Sequence, residues 1–150
     1  MSKKSLSIIF IAFSFVFLLT ACSKDYAGVK VSSDQYKQLS KLESDMRAIS
    51  KGYSNIDNRN DAKAGITAAK DFKKLASTYD SSQSSYSATK ETMDGVISDL
   101  DSGDDTFDMA ETDARIIKSD SAGIIKGITK DSVSIKQRIK ITEHIFDSFN

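Results

Sequence analysis

Apolar residues recur at intervals of three and four along most of this chain, and no proline interrupts them over 150 residues. This spacing puts apolar side chains on one face of a helix, and proline is the residue that most strongly breaks helices. Three such stripes precede residue 101: Tyr36, Leu39, Leu42, Met46, Ile49, Tyr53 and Ile56; then Ile66, Ala69, Phe72, Ala76 and Tyr79; then Tyr86, Met93, Val96, Ile97 and Leu100. The sequence therefore predicts an all-α fold, an antiparallel bundle of four or five amphipathic helices.

The last third of the chain continues this spacing less regularly. Two glycines, Gly123 and Gly127, weaken a helix there by up to about 1 kcal/mol each relative to alanine, and we expect a break near residues 129–132. An alternation through Val133 to Ile141 also fits a strand, but the sequence offers no partner strand, so a helix is preferred. The apolar positions are Phe107, Ala110, Ala114, Ile117, Ser121, Ile124 and Ile128, followed by Ile135, Ile139, Thr142, Ile145, Phe146 and Phe149.

Local signals indicate where the helices begin and end. Ser32 and Gln35 have the spacing of a capping box, which predicts that the first helix begins directly after Ser32. Residues 80–85, DSSQSS, form either a loop or a polar stretch of one long helix. A loop is favoured because serine and aspartate side chains compete for backbone hydrogen bonds. The segment 101–105 is the clearest turn, with Gly103 suited to a left-handed helix cap.

The first 22 residues, MSKKSLSIIFIAFSFVFLLTAC, combine two lysines with a long apolar run. The run from Leu6 to Leu19 is shorter than the stretch of about 20 residues that a membrane-spanning helix needs. A positive start followed by such a run is typical of a secretion signal peptide. The alternative is an uncleaved anchor helix, and the residues that end the segment argue against it.

Those final residues, Leu19-Thr20-Ala21-Cys22, resemble the lipobox of bacterial lipoproteins, an aliphatic residue and two small residues before a cysteine. Cys22 is the only cysteine in the chain. The resemblance, which covers residues 1–22, implies cleavage between Ala21 and Cys22 by the lipoprotein signal peptidase. It also implies that the Cys22 sulfur carries a diacylglyceryl group, whose two acyl chains give stable anchoring where a single chain holds only marginally.

This reading divides the chain into a signal peptide (1–21), a lipidated tether (22–31) and a helical bundle domain (32–150). The tether is short, so the domain is expected to lie close to the membrane. The resemblance implies a lipid-anchored, extracytoplasmic protein of the cell membrane or the outer membrane. Ser23, which follows the cysteine, is consistent with transfer to the outer membrane in a Gram-negative host.

The charge of the mature chain excludes one class of partner. Residues 1–21 contain two of the 21 lysine and arginine residues, which leaves 19 basic against 21 acidic groups, a formal charge of −2. Nucleic-acid binding depends on clustered positive charge, so we expect no nucleic-acid partner. The same balance gives no overall excess of positive charge to hold the domain on an anionic membrane. Membrane attachment is therefore expected through the lipid on Cys22.

Candidate catalytic and metal-binding groups are few. His144 is the only histidine, which excludes sites built from several histidines, and an acylated Cys22 supplies no thiolate. Ser134 and Ser148 lie near His144 in sequence, but neither stands in a nucleophile motif. We expect a solvated histidine, no cofactor, no metal and no enzymatic activity.

An acidic cluster raises one metal alternative, a calcium site. Its spacing lacks the glycine and the glutamate that an EF-hand loop requires. A turn flanked by helix caps is preferred, since acidic side chains are favourable at helix N-termini. The cluster comprises Asp99, Asp101, Asp104, Asp105 and Asp108.

Two further groups are candidates for binding. Basic residues either contact anionic wall polymers or form solvated helix faces, and the second is preferred because acidic residues interleave with them. Tyrosines either form a contact surface for sugars or proteins or belong to the core. The basic residues are Lys70, Lys73, Lys74, Lys136, Arg138 and Lys140, and the tyrosines are Tyr26, Tyr36, Tyr53, Tyr79 and Tyr86.

The sequence thus predicts a membrane-anchored lipoprotein that acts as a non-enzymatic binding module at the cell envelope, with an envelope protein or a wall polymer as partner. A structural lipoprotein whose helices self-associate is the first alternative, motivated by near-heptad stripes of coiled-coil type. An immunity or phage-exclusion lipoprotein is the second.

Overall fold

Helices dominate the residues that the computed structural model describes, which are 23–79, 83–103, 111–130 and 132–149. The predicted all-α fold class is confirmed. Within these ranges a short β-hairpin precedes five helices: β1 (Ser23–Tyr26), β2 (Val29–Ser32), α1 (Ser33–Ser54), α2 (Arg59–Tyr79), α3 (Gln83–Ser102), α4 (Glu111–Thr129) and α5 (Ile135–Asp147).

Two helices begin with the same side-chain device. Ser32 precedes α1 and accepts a hydrogen bond from the Gln35 backbone N–H, while the Gln35 side chain accepts one from the Ser32 N–H. This confirms the predicted capping box. Ser134 and Gln137 form the same reciprocal pair at the start of α5. Each box satisfies two backbone N–H groups that a helix start would otherwise leave unpaired.

The hairpin replaces most of the tether predicted over residues 22–31. Its strands pair antiparallel, with Ser23 opposite Ser32 and Tyr26 opposite Val29. Ala27 and Gly28 have φ angles of 52° and 73°, as a two-residue type I′ turn requires. The inward side chains, including Tyr26 and Val29, are buried in the same core as the helices. Within the described residues, the packed structure therefore begins at Ser23.

Contacts at both ends of the bundle give the direction of each helix. At one end, the start of α1 meets the end of α4, where Gln35 Nε2 donates to the Ile128 carbonyl oxygen at 3.1 Å. At the opposite end, the end of α1 meets the start of α2 through Lys51 and Asp61, 2.8 Å apart. Arg59, which begins α2, donates to the Asp101 carbonyl oxygen at the end of α3, at 3.2 Å. Successive helices from α1 to α4 are therefore antiparallel, as predicted.

The core is tightest where α1, α2 and α3 meet. Gly52 and Gly65 face each other across α1 and α2, and a Cβ on Gly65 would stand 2.7 Å from the Leu100 side chain. Glycine is needed here because the helices approach too closely for a larger residue. The stripe positions Leu39, Leu42, Met46, Ile49, Ala69, Phe72, Ala76, Met93, Val96, Leu100, Ile117, Ile124 and Ile145 are all buried.

The structure corrects one part of the predicted core. Ile135 and Ile139, assigned to the buried stripe of the last helix, are 73% and 53% exposed. Ile141 and Ile145 are fully buried instead. The helix carries isoleucines on both sides, and packing against the neighbouring helices and the hairpin selects the second pair.

The predicted breaks are partly confirmed. α4 ends at Thr129 and α5 begins at Ile135, so a break occurs near 129–132, although residue 131 lies outside the described residues. Residues 83–85 belong to α3 rather than to the predicted loop, and 80–82 lie outside the described ranges. Gly103 has a φ of 68°, which confirms its predicted left-handed conformation.

Candidate functional site

The residues predicted to carry the lipid and the cleavage site, Ala21 and Cys22, lie outside the described residues. Their neighbour Ser23 begins β1, and this fixes where the bundle would be attached. Ser23 pairs with Ser32, the residue that caps α1. Gln35 then links this cap to Ser132 Oγ at 2.7 Å, in the segment that joins α4 to α5. We call this part of the molecule, formed by Ser23, Ser32, Gln35 and Ser132, the anchored end.

A polar cluster lies between the hairpin, α1 and α5. The buried Tyr26 hydroxyl donates a 2.7 Å hydrogen bond to Glu43 Oε2 and lies 3.3 Å from the Leu39 carbonyl oxygen. Burial, reinforced by the bond to the Glu43 carboxylate, raises the pKa of Tyr26 above its usual range. Tyr26 is therefore a neutral hydrogen-bond donor that fixes the hairpin on α1.

Two further side chains, Arg47 and His144, complete this cluster around Glu43. Arg47 Nη2 lies 2.6 Å from Glu43 Oε1, and His144 Nε2 lies 3.7 Å from Glu43 Oε2. The His144 ring meets the Tyr26 ring edge to face, with centroids 5.6 Å apart. His144 is about half exposed, with 49% of its side chain accessible. The predicted solvated histidine thus also connects α5 to the hairpin.

Neither serine considered beside His144 is arranged as a nucleophile. Ser134 Oγ accepts the N-terminal hydrogen bond of α5 from Gln137, and Ser148 Oγ donates to the Ile145 carbonyl oxygen at 2.7 Å. Both hydroxyls stabilise the ends of α5. Their geometry is that of helix caps.

A second charged group lies between α1 and α2 and was not predicted. Asp45 is 3% exposed, and its Oδ1 pairs with Lys41, which also reaches Asp71 Oδ2 at 2.5 Å. The other oxygen, Oδ2, is buried without a hydrogen-bond partner among the described residues. Burial raises the pKa of Asp45 to about 6, partly offset by Lys41 and reinforced by the Asp71 carboxylate.

A groove of about 420 Å³ runs along α3 beside α4. A Cβ on Gly95 would meet nothing within 4 Å, so the groove leaves room at this position. The buried Thr89 hydroxyl donates to Asp120 Oδ2 at 2.7 Å and holds α3 against α4 close by. The lining mixes apolar surface with two carboxylates and comprises Ala88, Glu91, Thr92, Gly95, Val96, Asp99 and Ile116.

The remaining predicted sites are only partly covered. Asp99 and Asp101 lie in the last turns of α3, and Asp99 accepts a 3.2 Å hydrogen bond from the Tyr53 hydroxyl. Asp104, Asp105 and Asp108 lie outside the described residues. Across the described ranges, no group of three or more His, Cys, Asp or Glu side chains is placed to hold a metal ion. No helix in those same ranges is both long and apolar enough to cross a bilayer.

The predicted basic and tyrosine groups have mixed environments. Lys73 is paired with Asp94 at 2.5 Å, whereas Lys70 and Lys74 are exposed on α2. Of the tyrosines, Tyr26 is buried, and Tyr36, Tyr53, Tyr79 and Tyr86 are partly buried against the core. The preferred core interpretation of the tyrosines is therefore confirmed.

The chain matches no protein-family model, and no curated protein or solved structure matches it.

Proposed function

We propose that this chain is a lipoprotein of the bacterial cell envelope, anchored through Cys22, whose helical domain is a non-enzymatic binding module held directly at the membrane surface. The observation that carries the proposal is the adjacency of Cys22 to a folded strand. β1 begins at Ser23 and packs on the helices through Tyr26. A lipid on Cys22 would therefore fix the domain at the membrane without an intervening linker.

The groove beside α3 supports the binding role and favours one class of partner. α3 runs from Gln83 towards the end of the bundle opposite the anchored end, so Asp99 lies far from the attachment point. The carboxylates of Glu91 and Asp99 repel a polyanionic wall polymer, whereas the accessible apolar lining at Ala88 and Ile116 suits a side chain. An envelope protein with cationic residues is therefore the favoured partner.

The anchor is tested by measuring the mass of the protein recovered from cell membranes. We expect a chain that begins at Cys22 and carries a diacylglyceryl group. The Cys22→Ser variant should lack both the lipid and the cleavage, since the thiol is the group that is modified. A wild-type protein that retains residues 1–21 without lipid would contradict the anchor.

The binding role is tested by photo-crosslinking in intact cells. A photoreactive amino acid at Gly95 lies in the groove, and the matched control is the same amino acid at Ala64, an exposed position on α2. We expect one envelope protein to be captured from position 95, not from position 64, and only when Cys22 is intact. Equal capture from both positions argues against the groove. If the only crosslinked product is a second copy of this chain, the self-associating alternative is favoured instead.

A further inference from the structure

The first half of α5 carries an exposed apolar pair that the core does not use. Ile135 and Ile139 are the large hydrophobic residues that remain exposed within the described ranges. They are four residues apart and so lie next to each other on one helix face. Exposed isoleucines lose contact with water only when another surface covers them.

The charged residues of α5 are placed unfavourably for the helix dipole, with lysines near the N-terminus and acids near the C-terminus. Lys136 and Lys140 are exposed beside the isoleucines, and no acidic residue lies in the first turn. The exposed acids Glu143 and Asp147 lie towards the C-terminus instead. A helix is stabilised by acids near its N-terminus and by cations near its C-terminus. Interaction with the helix dipole therefore does not account for the position of these lysines.

This face lies beside the anchored end. Ser23, which follows Cys22, pairs with Ser32, and the adjoining Gln35 bonds to Ser132 Oγ at 2.7 Å. Ser132 is three residues before Ile135 in the chain. Further along α5, Lys140 Nζ lies over the hairpin turn, 2.5 Å from where a Cβ on Gly28 would stand. The first half of α5 thus runs alongside the hairpin that begins directly after Cys22.

We propose that the face formed by Ile135, Lys136, Ile139 and Lys140 lies on the anionic phospholipid surface of the membrane that holds Cys22. The isoleucines enter the boundary between headgroups and acyl chains, and the lysines meet the phosphates. This inference rests on the proposed anchor, which supplies most of the affinity and leaves the face to set the orientation of the domain.

A second copy of the chain and a separate protein partner fit this face less well than a bilayer does. A symmetric contact centred on this face would bring the two lysines of each copy close to the two of the other, and like charges repel. A stable protein partner buries about 800 Å² on each side, which two isoleucines do not provide. A bilayer needs neither a matching shape nor a large area when the lipid anchor holds the domain in place.

The orientation is tested with the lipidated protein in phospholipid vesicles. The Ile139→Cys variant carries an environment-sensitive fluorophore on its introduced thiol, since the Cys22 sulfur is blocked by lipid, and Ala64→Cys is the matched control. We expect a blue shift at position 139, but not at position 64, when phosphatidylglycerol is added to phosphatidylcholine vesicles. About 1 M salt, where charges are screened beyond roughly 3 Å, should reverse much of this shift.

The role of the lysines is tested by a double substitution. Each lysine at an anionic surface contributes about 1 kcal/mol, which is roughly fivefold. We therefore expect Lys136→Gln/Lys140→Gln to reduce the ratio of docked to undocked protein by roughly 25-fold in a phosphatidylglycerol titration. Lys70→Gln/Lys74→Gln removes two exposed lysines at the same spacing on α2 and should leave the ratio unchanged.

Three outcomes overturn the docking. One is an unchanged emission at position 139 in phosphatidylglycerol vesicles when the mass of the same sample confirms the lipid. Another is a blue shift at position 139 that increases with protein concentration in the absence of vesicles, because it would mean that a second copy of the chain covers this face. The third is an equal effect of the two double substitutions. Because mass and emission are read on one sample, failure of the anchor and failure of the docking are separate results.

Discussion

At the scale of single residues, Asp45 carries an electrostatic cost that its neighbours only partly offset. Lys41 pairs with one carboxylate oxygen, and the other oxygen is buried without a hydrogen bond among the described residues. Burying a charged carboxylate without full compensation favours its neutral form. The same lysine, Lys41, also pairs with Asp71 and so joins α1 to α2.

The raised pKa of Asp45 predicts a specific dependence of stability on pH. Its pKa is about 6 in the folded protein against an ordinary value of 3.8, so between these values the folded state binds more protons than the unfolded state. The contribution of Asp45 to the free energy of unfolding therefore falls as pH rises from about 4 to 6, by about 3 kcal/mol. Asp45→Asn, which does not titrate, should lack this decline in urea unfolding measured across the range.

The control is Asp57→Asn, which removes an exposed carboxylate in the turn between α1 and α2. Its unfolding free energy should follow the wild-type pH profile. If the profile of Asp45→Asn runs parallel to that of the wild type, the carboxylate is not the group that titrates.

At the scale of helices and strands, two capping boxes of identical sequence pattern have different consequences. Gln137 exchanges hydrogen bonds with Ser134 at the start of α5. Gln35 does the same with Ser32 and also donates to the Ile128 carbonyl oxygen and to Ser132 Oγ. The Gln35 side chain therefore caps α1 and joins it to the far end of the chain.

We expect Gln35→Ala to lower the free energy of unfolding by about 2 kcal/mol more than Gln137→Ala. The difference reflects two additional hydrogen bonds at about 1 kcal/mol each. Urea unfolding of the two variants measures it directly, and each variant is the other's control. Equal losses would mean that the link from Gln35 to Ile128 and Ser132 contributes nothing to stability.

Two helical glycines should respond oppositely to alanine. A Cβ on Gly127 of α4 would stand 2.6 Å from the Tyr79 carbonyl oxygen of α2, whereas one on Gly95 meets nothing within 4 Å. Gly127→Ala is therefore expected to cost about 1–3 kcal/mol through overpacking. Gly95→Ala should stabilise α3 by roughly 0.5–1 kcal/mol through its higher helix propensity. Thermal unfolding distinguishes the two, and a loss of stability in Gly95→Ala would contradict the open groove.

The helices were predictable because their signals are local. Leu39, Leu42 and Met46 repeat with the helical period and are all buried, and Ser32 with Gln35 marks the start of α1. In the sequence, the hairpin shows only a short alternation at Val29 and Val31, which follows the Ala27-Gly28 turn. It is stabilised by distant residues, above all by Glu43 on α1 and His144 on α5, which bond to or pack against Tyr26.

The proposed membrane-facing surface was beyond sequence reasoning for a related reason. α5 has apolar residues on two faces, and only packing decides that Ile141 is buried while Ile139 is exposed. A net charge near zero conceals the local concentration of cations at Lys136 and Lys140. The lipid site at Cys22 stays a prediction from residues 1–22, because a peptidase recognition pattern is read along the chain and not across the fold.

At the scale of the whole molecule, the proposed anchor residue, Cys22, directly precedes β1 in the sequence, because β1 begins at Ser23. The proposed docking depends on this adjacency because a flexible linker dilutes the domain over a larger volume. An insertion of about ten glycine and serine residues between Cys22 and Ser23 spans about 17 Å on average.

We expect this insertion to leave the unfolding free energy unchanged, since Ser23 still pairs with Ser32. It should also reduce the blue shift of the fluorophore at position 139 in phosphatidylglycerol vesicles. Circular dichroism in urea and fluorescence emission on the same variant provide the two readings. An undiminished shift would mean that the face of α5 binds lipid by itself, without help from the anchor.

The contact between Gln35 and Ser132 also has a consequence for the order in which the chain folds. It joins residues 97 positions apart, and the hairpin rests on α5 through the Tyr26 and His144 rings. Contacts between such distant positions form late because closing a long loop costs entropy before it gains energy. A chain made from its N-terminus onwards cannot complete this fold until α5 has been synthesised. Until its last helix exists, the nascent protein lacks the ring contact that holds the hairpin on α5.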